Sequence, residues 1–325
     1  MFLKKFNSPL NLKWRLELNK SLKEKDKFVK FLCNLIKYNL PKIYLEDYKD
    51  MIKLIEKSKV PKHPKIIMTA SDHIYNEAFK FYTAQKVIKG SKYFIFQHGG
   101  YYGTCALPHV REKIEIKLAD KFFSWGWKDG NKKIMPLFLQ KTAYKKTSKK
   151  NNAKGLIIPI LDYYLTPGTR GNTGNPSNKI EVNKLIDNIV LFISQTNQNI
   201  LNVSSFKYQN FIRCNYLLKS IKFKFPNLKF INSTKNTNEL SKSFRLIVET
   251  NNSSGFLEAL NLNNPVIFIY DKKYCSLRKS AIKDFNKLKK VKIIHNSPAE
   301  AAKFVNKNYY NLEKWWNSKS LQRVK

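Results

Sequence analysis

The chain has 325 residues, of which 42% are hydrophobic and 14% aromatic, and its formal net charge is +38. This composition excludes an intrinsically disordered chain, and the length is more than one small core requires. Only seven of the 61 basic residues are arginines, the side chain that reads bases and binds phosphates in a bidentate manner. We therefore interpret the charge as compositional bias plus attraction to an anionic membrane surface, and we expect no nucleic-acid partner.

The first half of the sequence predicts helices followed by alternating strands and helices. Apolar residues recur at helical spacing within Leu22–Tyr38 and Tyr44–Ser58. The predicted strands that follow are Ile66–Met68, Tyr93–Phe96 and Lys121–Trp125, with helices from Thr69 to Val87 and from Arg111 to Leu118. This alternation indicates half of an open α/β sheet.

A polar and basic segment, Lys141–Lys154, separates this series from a second one. We interpret it as a linker and predict two domains, residues 1–145 and 146–325. The predicted strands of the second series are Leu156–Leu161, Ile200–Val203, Leu228–Ile231, Phe244–Val248, Val266–Tyr270 and Val291–Ile294, and its helices include Ile180–Gln195 and Tyr208–Lys222. The series predicts a mostly parallel, doubly wound sheet.

The cysteines and the N-terminal segment bear on the compartment. Cys33, Cys105, Cys214 and Cys275 are far apart and form no C-x-x-C pair, which argues against a zinc site or a disulfide framework. No apolar run reaches the length of a membrane-spanning helix, and the first residues lack the apolar core of a signal peptide. We expect a cytoplasmic protein.

The stretch Gln97-His98-Gly99-Gly100 directly follows a predicted strand. Ligands of open α/β sheets bind outside the carboxyl ends of the strands, where glycine lets a ligand approach the backbone. Histidine side chains titrate near neutral pH, so His98 can serve as a base or donate a hydrogen bond to a phosphate or a sugar hydroxyl. The alternative is a tight turn whose histidine bonds locally.

A second motif lies in Ile247–Leu260, where an apolar strand ends in a polar turn and a helix begins. Hydroxyls and backbone N–H groups at a helix N-terminus can bind an anion. Ser253 and Ser254 supply the hydroxyls, and Glu258 can cap the helix or accept hydrogen bonds from ribose. An ordinary capped helix is the alternative.

Other candidates are weaker. The loop Thr166–Asn178 lacks the glycine spacing of dinucleotide-binding and P-loop motifs, although its Arg170 can bind a diphosphate. A plain surface loop is the alternative. Lys207 and Arg213 are further anion-binding candidates, although Lys207 carries little weight in a chain so rich in lysine. Four tryptophans can stack on sugars or simply pack: Trp125, Trp127, Trp315 and Trp316. No cluster with metal-ligand spacing occurs, so we expect no metal and no cofactor.

Several segments together resemble one family. They are QHGGYYG (97–103), ADKFFSWGW (119–127), SSGFLEALNLNNPVIF (253–268) and WWNSKSLQ (315–322), preceded by LPKIYLEDY (40–48) and IIMTASDHIYNEAFKFYTAQ (66–85). In this order they resemble transferases encoded in lipopolysaccharide O-antigen and surface-polysaccharide clusters. The resemblance spans residues 25–325. It implies a GT-B-like α/β architecture, in which two Rossmann-like domains face a cleft.

The resemblance implies a transferase with a nucleotide-activated sugar donor as substrate and a glycan or lipid-linked acceptor. In our hypothesis His98 and Glu115 act on the acceptor or the leaving group. The predicted donor-binding residues are Gln97, Gly99, Gly100, Arg170, Ser253, Ser254, Gly255 and Glu258. Such an enzyme would work as a peripheral protein at the inner face of the cytoplasmic membrane.

Two departures from the family pattern appear. The N-terminal domain is shorter than is usual, so we expect helices before a shortened sheet. The position before the serine pair, where related proteins often carry an acidic residue, reads Thr250-Asn251-Asn252.

Two other functions remain open. The same cleft can transfer a polyol phosphate from a CDP-glycerol-type donor, or the chain can be a non-catalytic basic protein that binds membrane or nucleic acid.

Overall fold

Strands and helices alternate along the chain in the computed structural model, which describes residues 6–18, 26–106, 110–145, 152–160, 179–208, 216–271 and 276–325. The strands are β1 Ile66–Thr69, β2 Lys92–Phe96, β3 Lys121–Trp125, β4 Ile134–Leu137, β5 Leu156–Pro159, β6 Ser205–Tyr208, β7 Phe230–Asn232, β8 Leu246–Glu249, β9 Val266–Ile269 and β10 Ile294–His295.

The helices are α1 Leu12–Glu17, α2 Lys27–Asn39, α3 Tyr48–Glu56, α4 Asp72–Tyr75, α5 Glu77–Ile88, α6 Val110–Leu118, α7 Lys179–Gln195, α8 Gln198–Leu201, α9 Tyr216–Lys224, α10 Thr237–Leu240, α11 Ser254–Asn261, α12 Lys279–Lys290, α13 Pro298–Asn308, α14 Leu312–Trp316 and α15 Lys319–Gln322. Short 3-10 turns cover Lys42–Tyr44, Gln140–Thr142, Ser241–Ser243 and Tyr309–Asn311. Within the described ranges, no helix combines the length and the apolar character needed to cross a bilayer.

The chain divides into two compact units, Met1–Phe96 and Gln97–Lys325. The domain boundary predicted between residues 145 and 146 stays a prediction. In the first unit β1 and β2 pair in parallel, with Ile66 opposite Lys92. Helices α3 and α5 contribute buried apolar side chains, among them Met51 and Phe81.

A buried ion pair fixes the helices at the start of the first unit. The guanidinium of Arg15, on α1, contacts Glu46 through Nε at 2.7 Å and Nη2 at 2.8 Å. Its Nη1 also donates to the carbonyls of Lys37 and Leu40, at the end of α2. The hydrogen bonds from Arg15 lower the pKa of Glu46 to about 2. One arginine thus joins α1, the end of α2 and the segment that precedes α3.

The second unit contains a parallel pair, β3 and β4, and a six-stranded parallel sheet. In the pair, Phe122 lies opposite Ile134. Strand β4 was not predicted, because its Pro136 argues against a strand in the sequence. The six strands follow the order β10-β9-β8-β5-β6-β7, and every pair of neighbours is parallel. This is the order of a Rossmann-type sheet, whose topological switch point lies between its first and fourth strands, here β5 and β8.

Side chains from successive residues of the central strands enter cores on opposite faces of the sheet. Leu156 and Ile158 of β5 belong to one core with α7, α9 and α13, whereas Ile157 belongs to the other with α11 and α12. Strands β5, β8 and β9 are buried over their whole length. Burial on both faces explains why these strands are apolar apart from Glu249, the last residue of β8. The α/β class with parallel sheets is therefore confirmed.

Three local predictions need correction. The predicted strand Ile200–Val203 is wrong: α8 covers Gln198–Leu201, and the strand begins at Ser205. An apolar pair this short fits a helical turn as well as a strand, so periodicity could not decide. Tyr208 ends β6 instead of starting a helix, and the first part of the predicted linker is folded, with Thr142 buried.

Arg15→Ala tests the first unit. The substitution leaves the buried Glu46 carboxylate without its partner, and because the pair lies just beneath the surface we expect a loss at the low end for buried pairs, about 3 kcal/mol of unfolding free energy. Urea denaturation measures it. The double variant Arg15→Met with Glu46→Leu should recover most of the loss, and equal losses in the two variants would contradict the role of the ion pair.

Candidate functional site

Gln97 holds the turn that carries His98. Its side-chain carbonyl accepts hydrogen bonds from the backbone N–H of Trp125, at 2.8 Å, and from Nε1 of Trp127, at 2.7 Å. Its amide nitrogen donates to the carbonyl of Gly99 at 2.6 Å. The side chain is fully buried. The side chain of Gln97 therefore holds the turn in place by hydrogen bonds. Direct binding of a donor by Gln97 stays a prediction.

The tryptophans serve packing in the second unit. Trp127 packs its ring against Gly103, where an added Cβ would come within 2.4 Å of the indole. Trp316 is buried, and Nε1 of Trp315 donates to the carbonyl of Val291. These contacts favour the packing interpretation over a sugar-stacking platform.

Gly100 brings the turn against the N-terminus of α11. A Cβ placed on Gly100 would lie 2.6 Å from the carbonyl carbon and oxygen of Ser253 and 2.6 Å from the backbone nitrogen of Ser254. Only glycine allows two backbones to approach this closely. The two motifs are 153 positions apart in the sequence at Gly100 and Ser253 and are thus in direct contact within one unit.

His98 belongs to a cluster with Tyr102 and Glu115. The hydroxyl of Tyr102 lies 3.3 Å from Nδ1 and 3.4 Å from Nε2 of His98, and Oε1 of Glu115 lies 3.8 Å from Nδ1. Tyr102 and Glu115 are buried, whereas 18% of the His98 side chain is exposed. Burial and the neighbouring Glu115 raise the pKa of Tyr102, so its hydroxyl keeps its proton. Of the three, His98 is the group that a substrate can reach.

The N-terminus of α11 is capped by Ser253. Its hydroxyl oxygen accepts a hydrogen bond from the N–H of Gly255 at 3.2 Å, and its own N–H donates to the carbonyl of Asn251. A Cβ on Gly255 would lie 2.7 Å from Oε1 of Glu249. Gly255 thus makes room for a carboxyl group beside the first turn of the helix.

Glu249 is the residue that the sequence reasoning missed. It ends β8, next to the topological switch point, and only 2% of it is exposed. Burial and, secondarily, the negative charge of Glu258 raise the pKa of Glu249 to about 8, although Lys207 counteracts the shift. Lys207, on β6, has a pKa lowered by its own burial. A signal was present: an acidic residue ends an otherwise apolar strand, one position before the Thr-Asn-Asn sequence.

Glu258 faces a small cavity instead of capping its helix. Its Oε2 accepts a hydrogen bond from Nδ2 of Asn236 at 2.8 Å, and its Oε1 lies 3.9 Å from Nζ of Lys141. The cavity has a volume of about 190 Å³. It is lined by Thr142, Lys145, Asn236, Asn238, Glu239, Lys242, Glu258 and Leu262. Carboxylate and amide groups of this kind suit sugar hydroxyls.

Arg278 anchors the far end of the turn. Its guanidinium contacts Glu112 at 2.6 Å and donates to the carbonyl of Cys105 at 3.2 Å, while its backbone N–H donates to Thr104. Nδ2 of Asn252 donates to the hydroxyl of Thr104. The segment after His98 is therefore fastened on two sides. The sequence analysis did not single out Arg278 or Glu112. The signal for Arg278 was the small number of arginines in the chain, of which it is one.

The predictions for Arg170 and Arg213 and the expectation of no metal stay predictions. Arg170 and Arg213 lie outside the described residues. Within those residues, no group of three or more histidine, cysteine or acidic side chains is placed to hold a metal ion. The remaining predicted residues are all in the second unit: His98, Gly99 and Gly100 on the turn, Glu115 behind it, and Ser253, Ser254, Gly255 and Glu258 on α11.

The model of one protein family, described as LIC12162 family transferase, matches residues 3–325. The chain belongs to the LIC12162 family of transferases. This membership confirms the prediction of a transferase. No curated protein matches the chain significantly.

The transferase is also distantly similar to solved structures. Accessory secretory protein 1, 2 and 3 in Streptococcus pneumoniae is 12% identical, with a TM-score of 0.43 over 84% of this chain and 51% of that chain. An apo structure of OtsA is 9% identical, with a TM-score of 0.47 over 96% and 81%. WaaG, described as a glycosyltransferase involved in lipopolysaccharide biosynthesis, is 10% identical, with a TM-score of 0.37 over 93% and 80%. The transferase thus spans about half the length of the first of these.

Gly100→Ala tests the contact between the turn and α11. The new methyl group would meet backbone atoms of Ser253 and Ser254, so the two segments must separate, and we expect a loss of about 1–3 kcal/mol in unfolding free energy. Gly99→Ala is the matched control, because its methyl group would meet side chains instead of backbone, namely the rings of Tyr101 at 2.9 Å and Tyr102 at 3.3 Å, and it should therefore cost less. Urea denaturation compares the two. Equal unfolding free energies of the two variants would show that the backbones at Gly100 and Ser253 lie farther apart than the structure places them.

The stability of Glu249→Gln should depend on pH differently from that of the parent protein. The unfolded chain ionises Glu249 near its ordinary pKa of 4.5, whereas the folded chain keeps the proton up to about pH 8. Between these values the folded state holds the extra proton, so this group lowers the unfolding free energy as pH rises. Glu249→Gln has no carboxyl group at this position, so its unfolding free energy should not show this decrease.

Denaturation at about pH 5 and about pH 8 measures the effect, and the stability of the glutamine variant relative to the parent should increase with pH. The exposed Glu313→Gln is the control. A constant difference between Glu249→Gln and the parent at the two pH values would show that Glu249 ionises normally.

Proposed function

We propose that the chain transfers a sugar from a nucleotide-linked donor to a glycan or lipid-linked acceptor in cell-surface polysaccharide or lipopolysaccharide synthesis. Membership of a transferase family supports the reaction class. The observation that carries the proposal is the contact of Gly100 with Ser253 and Ser254, because it joins a titratable group to an anion-binding helix end at the carboxyl ends of parallel strands.

The donor binds at the N-terminus of α11. The positive end of the helix dipole and the hydroxyls of Ser253 and Ser254 attract its diphosphate. Glu249 is protonated below about pH 8, so it adds no negative charge beside the diphosphate and can donate a hydrogen bond to it. The cavity beside Glu258 and Asn236 accepts the hydroxyls of the ribose.

His98 acts at the reacting end of the donor. The acceptor hydroxyl attacks the anomeric carbon of the sugar, the bond from that carbon to the phosphate oxygen breaks, and His98 takes the proton of the hydroxyl. Glu115 stabilises the resulting imidazolium, and Tyr102 holds the ring in place. The diphosphate leaves with its electron pair, stabilised by the end of α11. The prediction of a reaction without metal or cofactor stays a prediction.

We place the enzyme in the cytoplasm, as a peripheral protein at the inner face of the membrane. Nucleotide-linked sugars and the net charge of +38 support this location, since the charge attracts anionic lipid headgroups.

A panel of UDP-, GDP-, CMP- and CDP-linked sugars, together with CDP-glycerol, tests the donor by thermal denaturation. At a concentration about 100 times Kd, a donor should stabilise the folded chain by about 2.7 kcal/mol and raise Tm. Stabilisation by CDP-glycerol alone would replace the proposal with polyol-phosphate transfer. If none of the donors raises Tm, the result would favour the alternative of a non-catalytic binding protein.

His98→Ala should lower the rate of sugar transfer at least about 100-fold, since it removes the base, and should keep the donor-induced rise in Tm. His63→Ala, at an exposed histidine of the first unit, is the control and should be fully active. Near-normal turnover of His98→Ala would show that another group takes the proton.

A further inference from the structure

Helix α2 turns its apolar face to solvent. Its large apolar residues are all exposed, among them Phe28 at 67%, Phe31 at 56%, Leu32 and Leu35. None of the residues of α2 is buried. Soluble proteins rarely leave a continuous apolar patch uncovered, and such a patch indicates an interaction site.

The helix rests on the protein by its other side. Its least exposed positions are Cys33 and Lys37, and at 3.6 residues per turn these lie opposite Phe28 and Leu35. Arg15 holds the C-terminal end of the helix through the carbonyls of Lys37 and Leu40. The apolar face is therefore presented outward by a fixed helix.

The composition of α2 is that of an interfacial helix. One face carries phenylalanine and leucine, whereas Lys30 and Lys37 lie on the opposite side and Lys27 lies at the edge of the apolar face. A helix of this kind lies in the plane of a membrane, with its apolar face among the acyl chains near the headgroups. Neighbouring α1 also exposes Trp14 at 46%, an aromatic side chain suited to the same depth.

Three kinds of partner are considered for this face, namely a second copy of the chain, an anionic bilayer and a nucleic acid, and the net charge of the chain favours the bilayer. A second copy would bring two chains of net charge +38 together, and their repulsion opposes association. An anionic bilayer attracts the same charge, at about 1 kcal/mol for each lysine near its surface. A nucleic acid offers no apolar surface to bury phenylalanine and leucine.

We propose that the apolar face of α2, formed by Phe28, Phe31, Leu32, Leu35 and Ile36, inserts into the headgroup region of an anionic lipid bilayer. The inference deepens the proposed location of the enzyme and is independent of the transfer reaction. It requires neither donor nor acceptor.

Sedimentation with vesicles of equal parts phosphatidylcholine and phosphatidylglycerol tests the proposal. The chain should bind these vesicles, should bind vesicles of phosphatidylcholine alone much more weakly, and should release from the mixed vesicles as salt rises. The double variant Phe28→Ser with Phe31→Ser should lose at least about tenfold in partitioning without any change of net charge.

The matched control is Phe223→Ser with Tyr310→Ser, two comparably exposed aromatic residues of the second unit, which should bind like the parent. Equal binding by the α2 variant and the control variant would overturn the proposal, as would absence of binding to the mixed vesicles. A dimer that dissociates in the α2 variant would assign the face to a second copy instead. Donor-induced shifts in Tm report separately on the transferase, so the two proposals can fail independently.

Discussion

The approach of one backbone to another at Gly100 is the constraint on which the site depends. Ser253 and Ser254 lie where a side chain on residue 100 would have to be, so the turn and the helix can meet only through glycine. Gln97 and Arg278 hold the two ends of the segment that makes this contact. His98 lies two residues before this contact, so the same packing brings it towards the N-terminus of α11.

Electrostatics at the switch point make the buried Glu249 compatible with the proposed binding of a diphosphate at the start of α11. The Rossmann strand order places the end of β8 where ligands of such sheets bind. A carboxylate there would repel a diphosphate, yet burial and Glu258 keep the proton on Glu249 near neutral pH. The missing acidic residue among Thr250, Asn251 and Asn252 thus has a counterpart one position earlier, at the end of the strand.

Periodicity and strand-end chemistry predicted much of this molecule. The parallel α/β class, the strand that ends before Gln97 and the helix that begins after Ser253 follow from local patterns that the fold preserves. Strand β4 could not be predicted, because its proline argues against a strand. Helix α8 could not be predicted either, because its short apolar pair fits a strand as well as a helical turn. Glu249 and Arg278 escaped notice because their roles come from burial and from partners distant in sequence, neither of which a single sequence displays.

Hydrogen–deuterium exchange with and without the donor that raises Tm tests the central claim, namely that the turn after Gln97 and the start of α11 form one binding site. The account predicts slower exchange in both 97–104 and 250–256 on binding, because one ligand orders both segments. Protection of only one of these segments, or protection confined to other parts of the chain, would contradict it.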